Sequence, residues 1–355
     1  MHTLLRLLAV SSLCAIAPAQ RHLHADLAEL VTAKLARDQI PGLSCAAFVG
    51  DELVFARGFG FSDVENEVAA TDGTVYRLAS ISKPVAAVLA MQLVEQGALD
   101  LDRDVAELVP EWPAGKRWPV TTRQLLGHLG GVRHYQGEGE STRRYRSQRS
   151  ALPRFAADPL LHEPGSRFRY STYGFNLVAA VVEALRGRAF PEVLAKRVSA
   201  VAAAPSLQDD DLRRIIPHRA QGYVRRSGEL RNSGLMDSSY KLGGGGLCSS
   251  VPDLARFAQE LIGGKLVSQQ SLAQMWTPQR TVDGAATGYG LGFSIGKLDG
   301  ELLVGHSGAQ SRVSTILQML PKQGVGVVVM CNLEGVKLGG LAAKLLRRLR
   351  EEATR

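Results

Sequence analysis

The sequence contains few cysteines and no long uninterrupted apolar run. Four of its 355 residues are cysteines, and Cys14 falls in the amino-terminal segment. The other three are widely separated, so they predict neither a disulfide framework nor a metal site. Cys45 and Cys331 lie in strand-like apolar runs, a position that is typical of buried thiols. No stretch is long and apolar enough to predict a stable membrane span.

Two common kinds of ligand site are also missing. His128 and His134 lack the spacing and the nearby acid of a zinc site, so no metal ion is expected. The glycine run 243–246 lacks the lysine and hydroxyl that a phosphate-binding loop needs. We therefore expect no cofactor, and we expect these glycines to let the backbone pass close to a cleft.

The chain carries a formal net charge of +8, with a sequence pI near 9.5. Much of the excess lies in two local runs, 141–154 and 345–350. The first run has neither helical nor strand periodicity, which indicates a surface insertion. Such runs are usually solvated surfaces, so no nucleic-acid partner is expected.

Residues 1–19 have the pattern of a secretory signal. A short basic start precedes the apolar run Leu7–Ile16, and small residues follow it. This pattern predicts cleavage before Gln20 and a secreted or periplasmic protein. Lipoprotein processing at Cys14 is less favoured, because bulky Leu13 stands where a small residue is needed.

Strand patterns occur at both ends of the chain and enclose a mostly helical middle. The strand-like regions are about 40–76 and 285–355, and the helical region is about 80–270. Hairpin-like connections indicate an antiparallel sheet. The sequence therefore predicts an α+β fold, with helices on the sheet and a helical insertion. Residues 20–355 are expected to form one unit.

The segment RLASISKP, Arg77–Pro84, places a serine and a lysine three residues apart where an apolar helix begins. Residues at i and i+3 share a helix face, so Lys83 can reach the oxygen of Ser80. Burial and the positive end of the helix dipole both lower a lysine pKa, which makes the amine a possible base. The alternative is an ordinary helix start with a capping hydroxyl.

Several further segments, in order along the chain, support the interpretation of Ser80 and Lys83 as a reactive pair. RLASISKP resembles the Ser-x-x-Lys motif of the serine β-lactamase and penicillin-binding superfamily. The chain resembles the class C-like branch, and within it the mitochondrial serine β-lactamase-like subfamily and its bacterial relatives. The resemblance runs from about Ile40 to Asn332, and four more segments carry it: TTRQLLGHLGGVRHY, EPGSRFRYSTYGFNLVAAVVE, DSSYKLGGGGLCSSVPDLARF and GHSGAQSRVSTILQMLP.

The resemblance implies roles for particular residues. Ser80 would be the acylated nucleophile and Lys83 its proton acceptor. Tyr170 would shuttle a proton, either as an anion or as a strongly hydrogen-bonded phenol. Tyr173 is a rival for that role, and a purely structural Tyr170 is the alternative. His306 falls where the family has the lysine of a Lys-Thr-Gly strand.

The resemblance also implies an oxyanion hole and a substrate-binding edge on this strand. The backbone N–H groups of Ser80 and Ala309 would stabilise the charge that develops on the attacked carbonyl oxygen. Ser307 and Gly308 would line the substrate site.

Three departures from the family pattern bear on the substrate. Thr172 stands at a substrate-binding position where the family has asparagine, and His306 replaces a lysine by a mostly neutral group. Arg312 stands where related chains tend to have glycine. It would restore positive charge for an anionic substrate, or it is a surface arginine.

These observations predict an exported serine hydrolase that acts on small amides, esters or short peptides. β-Lactams are less expected, because the replaced asparagine and lysine are polar groups that they use. Two alternatives remain, a non-hydrolytic penicillin-binding sensor and a self-assembling scaffold. A homo-oligomer is compatible with all three.

Overall fold

The computed structural model describes residues 18–113, 115–135 and 142–353, with side chains from residue 21 onward. Most of the predicted signal segment, 1–17, lies outside the described residues. The helices are α1 (Pro18–Arg37), α2 (Ser82–Glu95), α3 (Thr122–Leu126), α4 (Gln148–Ala151), α5 (Thr172–Arg186), α6 (Phe190–Leu194), α7 (Leu242–Gly245), α8 (Val251–Ile262), α9 (Gln269–Met275) and α10 (Gly339–Ala353). The strands are β1 (Gly42–Val49), β2 (Glu52–Asp63), β3 (Val68–Ala69), β4 (Tyr76–Arg77), β5 (Gln208–Asp209), β6 (Tyr223–Arg226), β7 (Glu229–Asn232), β8 (Leu247–Ser249), β9 (Ser294–Leu298), β10 (Glu301–Gln310), β11 (Val313–Leu320) and β12 (Val325–Cys331).

The main sheet is built from both ends of the chain, which confirms the predicted fold class. Within the described residues, seven strands pair antiparallel in the order β3-β2-β1-β12-β11-β10-β9. The first and last thirds of the sequence meet where β1 pairs with β12, for example Cys45 with Val329. Turns at Gly50 and at Asp299–Gly300 connect β1 to β2 and β9 to β10.

The two faces of this sheet are covered by different helices, because successive side chains of a strand point to opposite faces. Phe48 and Met330 face the helical region, where they join the larger apolar core. Cys45 and Cys331 face α1 and α10 and belong to the second core, which confirms their predicted burial. Helix α2 lies inside the larger core and is buried from Ser82 to Leu93, as its uniformly apolar sequence predicts.

Two details of the helical region differ from the sequence prediction. It contains small sheets, β4-β8-β5 and the hairpin β6-β7. The basic run was expected to be a surface insertion, yet Gln148 in α4 is fully buried and its amide donates to the Ser239 carbonyl at 2.7 Å. Among the described residues, no helix has both the length and the hydropathy needed to cross a membrane.

Candidate active site

Ser80 lies in a short 3-10 helix that begins at Ala79 and continues directly into α2. Ala79 has a φ of +48°, a left-handed conformation that is unfavourable for a residue with a side chain. Leu78, the residue before this turn, is held by hydrogen bonds at both its N–H and its carbonyl. Its N–H donates to the Leu247 carbonyl at 2.8 Å, and its carbonyl accepts from the Thr315 hydroxyl at 3.0 Å. The strained turn therefore persists because distant segments hold it.

Lys83 is completely buried and makes three polar contacts. Its Nζ lies 3.0 Å from Ser80 Oγ and 3.2 Å from Thr172 Oγ1. It also donates to the Gly244 carbonyl at 2.7 Å. The predicted side-chain contact between Ser80 and Lys83 is present, with segments from α5 and α7 closing around the amine.

The environment of Lys83 favours the neutral amine. Burial, and then the positive charge of Lys241, hold the pKa of Lys83 well below its ordinary value. A neutral amine has two N–H groups and one lone pair. The Gly244 carbonyl can only accept, and the Thr172 hydroxyl is in position to accept the second N–H. The lone pair then remains for the proton of Ser80.

Tyr170 completes this arrangement from the segment before α5. Its hydroxyl is hydrogen-bonded to Ser80, and Lys83 Nζ lies 4.7 Å from its ring centroid. Burial raises the pKa of Tyr170 above its ordinary range, so the neutral phenol is present, and the predicted anionic form is not favoured. The rival Tyr173 is buried in the core, where its ring stacks on Phe155 with centroids 4.3 Å apart.

His306 on β10 is buried, and both of its ring nitrogens lie within hydrogen-bonding distance of oxygen atoms. Nδ1 is 2.6 Å from the Ser307 carbonyl, and Nε2 is 2.9 Å from the Tyr289 hydroxyl. Burial, and then the positive charge that Lys83 carries when it is protonated, lower the pKa of His306 to about 3. The neutral ring therefore donates from Nδ1 and accepts the Tyr289 proton at Nε2. His306 is not a substitute for a fixed cation.

Tyr289 was missed by sequence reasoning, because it belongs to no motif and lies between β9 and α9 in an irregular segment. Burial raises its pKa well above the ordinary value, so the phenol stays protonated and can donate to His306. The sequence gives no clear signal for Tyr289, because its role depends on contact with His306 on a distant strand.

Two histidines hold the start of α5. His128 Nδ1 accepts the N–H of Ser171 at 3.1 Å, and His134 Nδ1 accepts the N–H of Thr172 at 3.0 Å. The His128 ring also packs on Tyr170, with centroids 4.2 Å apart. The sequence excludes a zinc site at these histidines but gives no sign of this structural role. They instead satisfy donors at the first turn of a helix, directly beside Tyr170.

Among the described residues, no strand pairs with the outer edge of β10 in the part that lies next to Ser80. Strand β9 pairs with β10 only as far as Gly305, whereas β11 pairs with it as far as Gln310. Ser307 and Ala309 are exposed along this free edge. The predicted oxyanion donor Ala309 therefore lies on the strand segment that borders the cleft.

Gly308 is buried, and its place is explained by backbone packing. A Cβ on Gly308 would lie 2.4 Å from the Leu78 carbonyl oxygen and 2.2 Å from Thr315 Oγ1. Only glycine lets β10 approach the turn that carries Ser80. Gly308 does not line the Ser80 cleft among the described residues, and its role in substrate binding stays a prediction.

The structure places two other predicted substrate-binding residues away from the cleft. Thr172 is buried, and its hydroxyl contacts Lys83, because the first turn of α5 directs it to the amine. Arg312 lies at the β10–β11 turn, where its guanidinium donates to Gln221. Its backbone N–H donates to the Glu334 carboxylate at 3.0 Å. Neither residue lines the cleft in the described part of the chain.

The cleft at Ser80 has a volume of about 440 Å³ and mainly aromatic walls. Ser307 and Ala309 border it on the strand side. The aromatic and imidazole side chains around it are His134, Tyr135, Phe168, Tyr170, Tyr289 and His306. A cleft of this size has room for a small ligand.

Comparison with known proteins gives one consistent family. The Beta-lactamase family model matches residues 27–350. The mitochondrial serine beta-lactamase-like protein LACTB of Homo sapiens is 27% identical, over 86% of this chain and 76% of its own length. The putative penicillin-binding protein PbpX of Bacillus subtilis is 25% identical, over 85% of this chain and 73% of its own length.

Solved structures show the same fold. The octameric penicillin-binding protein homologue from Pyrococcus abyssi superimposes with a TM-score of 0.80 at 27% identity, covering 92% of this chain and 77% of the other. The D-amino acid amidase from Ochrobactrum anthropi superimposes with a TM-score of 0.78 at 19% identity, covering 92% and 99%.

Proposed function

Since the chain belongs to the Beta-lactamase family, we propose that it is a serine hydrolase acting through a Ser80 acyl-enzyme. The observation that carries this proposal is the contact between the buried Lys83 amine and Ser80, with the two N–H groups of the amine directed elsewhere. A base with a depressed pKa beside a hydroxyl is the arrangement that activates a serine.

The reaction proceeds in two steps. Ser80 Oγ attacks the substrate carbonyl while its proton passes to Lys83 Nζ. The Tyr170 phenol, which contacts Ser80, relays a proton to the leaving amine or alcohol as the carbon–heteroatom bond breaks. The N–H groups of Ser80 and Ala309 stabilise the oxyanion. Water then attacks the ester, and the same groups return the proton to Ser80.

The substrates we propose are small amides, esters or short peptides. The neutral His306 provides no fixed cation for a substrate carboxylate, and Arg312 is engaged at the β10–β11 turn. The aromatic cleft therefore favours substrates that are uncharged near the attacked carbonyl over β-lactams, which carry a carboxylate.

Turnover by matched variants tests this function. A small aryl ester, a short peptide and a β-lactam are offered to the wild type, to Ser80→Ala and to Ser166→Ala, an exposed serine outside the cleft. We expect hydrolysis of the ester or the peptide by the wild type and Ser166→Ala, and a loss of at least about 10³-fold in Ser80→Ala. Equal rates in Ser80→Ala and the wild type would refute the proposal.

Export is part of the proposal and rests on the pattern of residues 1–19. Expression of the full chain in a Gram-negative host should give periplasmic protein that begins at Gln20. An intact amino terminus on protein confined to the cytoplasm would contradict export.

A self-assembling protein is the second candidate, and the octameric Pyrococcus abyssi homologue favours it. Light scattering coupled to size-exclusion chromatography should then show a defined oligomer rather than a monomer. Catalysis and assembly are compatible, so a large assembly with no Ser80-dependent turnover would support the scaffold function alone. The penicillin-binding sensor predicts a Ser80 adduct that does not hydrolyse.

A further inference from the structure

A second cavity of about 480 Å³ adjoins the cleft on the α10 face of the sheet. We call it the α10 groove. Its apolar walls are Leu303, Ile316, Val336 and Leu338, and Gly339 at the start of α10 closes one side.

The α10 groove and the Ser80 cleft share part of their walls. Ser294, His306, Ser307 and Ala309 line both cavities. Ser307 pairs with Ile316, so its side chain lies on the α10 face of the sheet. The two spaces therefore meet around the free edge of β10, beyond the point where β9 ends.

The far wall of the groove is held in place by hydrogen bonds. The Lys337 carbonyl accepts from Lys34 Nζ at 2.7 Å, and the Val336 N–H donates to Ser314 Oγ at 3.0 Å. Lys337 itself is exposed at the rim. The groove is thus a preformed, mainly apolar space that shares the β10 wall of the Ser80 cleft.

We propose that the α10 groove binds an aliphatic chain of the substrate, in the acyl part or in the leaving group. The inference rests on the proposed function, and it narrows the substrate class to esters and amides that carry an extended, uncharged apolar group. Burial of each methylene strengthens binding about fourfold. Longer chains should therefore be better substrates until the groove is full.

The chain offers a matched pair of variants. A Cβ on Gly339 would meet only Ile316 Cδ1, at 4.0 Å, so Gly339→Trp places a ring in open groove space. A Cβ on the neighbouring Gly340 has nothing within 4 Å, and Gly340 does not line the groove. Both residues are exposed in the first turn of α10, so the two substitutions have similar helix costs.

Two ester series identify the part of the substrate that enters. One series lengthens the acyl chain from p-nitrophenyl acetate to octanoate, and the other lengthens the alcohol from ethyl to octyl acetate. In one series kcat/KM should rise at least tenfold for the wild type and Gly340→Trp. Gly339→Trp should lose that rise and keep the rate on the shortest ester. The inference would be overturned if kcat/KM of the wild type did not depend on chain length in either series. It would also be overturned if kcat/KM depended equally on chain length in the two variants.

A binding measurement separates this inference from the proposed hydrolysis. Calorimetric titration of octanamide into Ser80→Ala should show binding that persists with Gly340→Trp and weakens at least tenfold with Gly339→Trp. Equal affinity in the two double variants would refute the groove even if esters are hydrolysed. If the two double variants bind octanamide differently but no ester is hydrolysed in a Ser80-dependent way, only the proposed function is refuted.

Discussion

Lys83 is buried at a cost to the stability of the folded chain, and the same burial makes it a base for Ser80. A buried lysine with a depressed pKa binds fewer protons in the folded chain than in the unfolded chain. Sequence could predict the Ser80 contact, because the i, i+3 spacing is local. It could not predict the Gly244 and Thr172 contacts, which come from distant segments.

Lys241 should tune the base. Its charge helps to lower the pKa of Lys83, so Lys241→Met should raise that pKa. The neutral amine would then appear at higher pH, and the acidic limb of the kcat/KM profile should move upward. The exposed Lys265→Met is the control and should leave the limb in place. An unchanged or downward-shifted limb in Lys241→Met would contradict this role.

Lys83→Met should separate activity from stability. Removal of the base should lower the acylation rate by roughly 10² to 10⁴. Because protonation of the amine in the unfolded chain opposes folding below its ordinary pKa, the variant should be more stable at pH 7, by about 0.5 to 2 kcal/mol. Denaturant unfolding at pH 7 measures the difference. A large loss of stability would contradict this prediction, because it would show that the buried amine stabilises the folded chain.

At the scale of elements, the site depends on three contacts: the Ser80 turn with β10, the start of α5 with two histidines, and α7 with α2. Ordered motifs predicted that these segments converge. The role of each side chain was harder to predict, because the direction in which a side chain points depends on residues that are distant in the sequence. Thr172 was expected to contact substrate and instead contacts Lys83, whereas the sequence gives no sign of the structural role of His128 and His134.

Gly308→Ala tests the contact between β10 and the Ser80 turn. The added methyl would collide with the Leu78 carbonyl, so β10 must move away from Ala79. We expect a loss of about 1 to 3 kcal/mol in stability and at least a tenfold loss in kcat/KM. Gly73→Ala, in the exposed turn before β4, is the control, since its Cβ would meet only Thr71 Oγ1, at 3.7 Å. Similar behaviour of the two variants would argue against a tight approach.

At the scale of the whole molecule, the sequence predicted the large features well. Val-rich runs such as 325–331 predicted core strands, and the uniformly apolar α2 predicted a central helix. The sheet β4-β8-β5 was missed because β4 and β5 have only two residues each, too few for a periodic pattern. The α10 groove also has no sequence signature, because its walls come from four separate segments.

Buried imidazoles should make the whole protein sensitive to acid. His306 has a pKa of about 3 when folded against about 6.5 when unfolded, so the stability from its neutral form is complete above pH 6.5. That stability is lost as the pH falls toward 3. His306→Gln should lose less stability than the wild type between pH 7 and pH 4.5 in denaturant unfolding. The exposed His22→Gln should retain the wild-type slope, and an equal slope in His306→Gln would contradict the account.

Activation of Ser80 by Lys83 is tested most sharply by the intact mass of the protein during reaction with a fluorophosphonate. One adduct, mapped by peptide analysis to Ser80, should form, and it should form at least about 100-fold more slowly in Lys83→Met. Modification at another residue, or the same rate with and without the Lys83 amine, would contradict this activation.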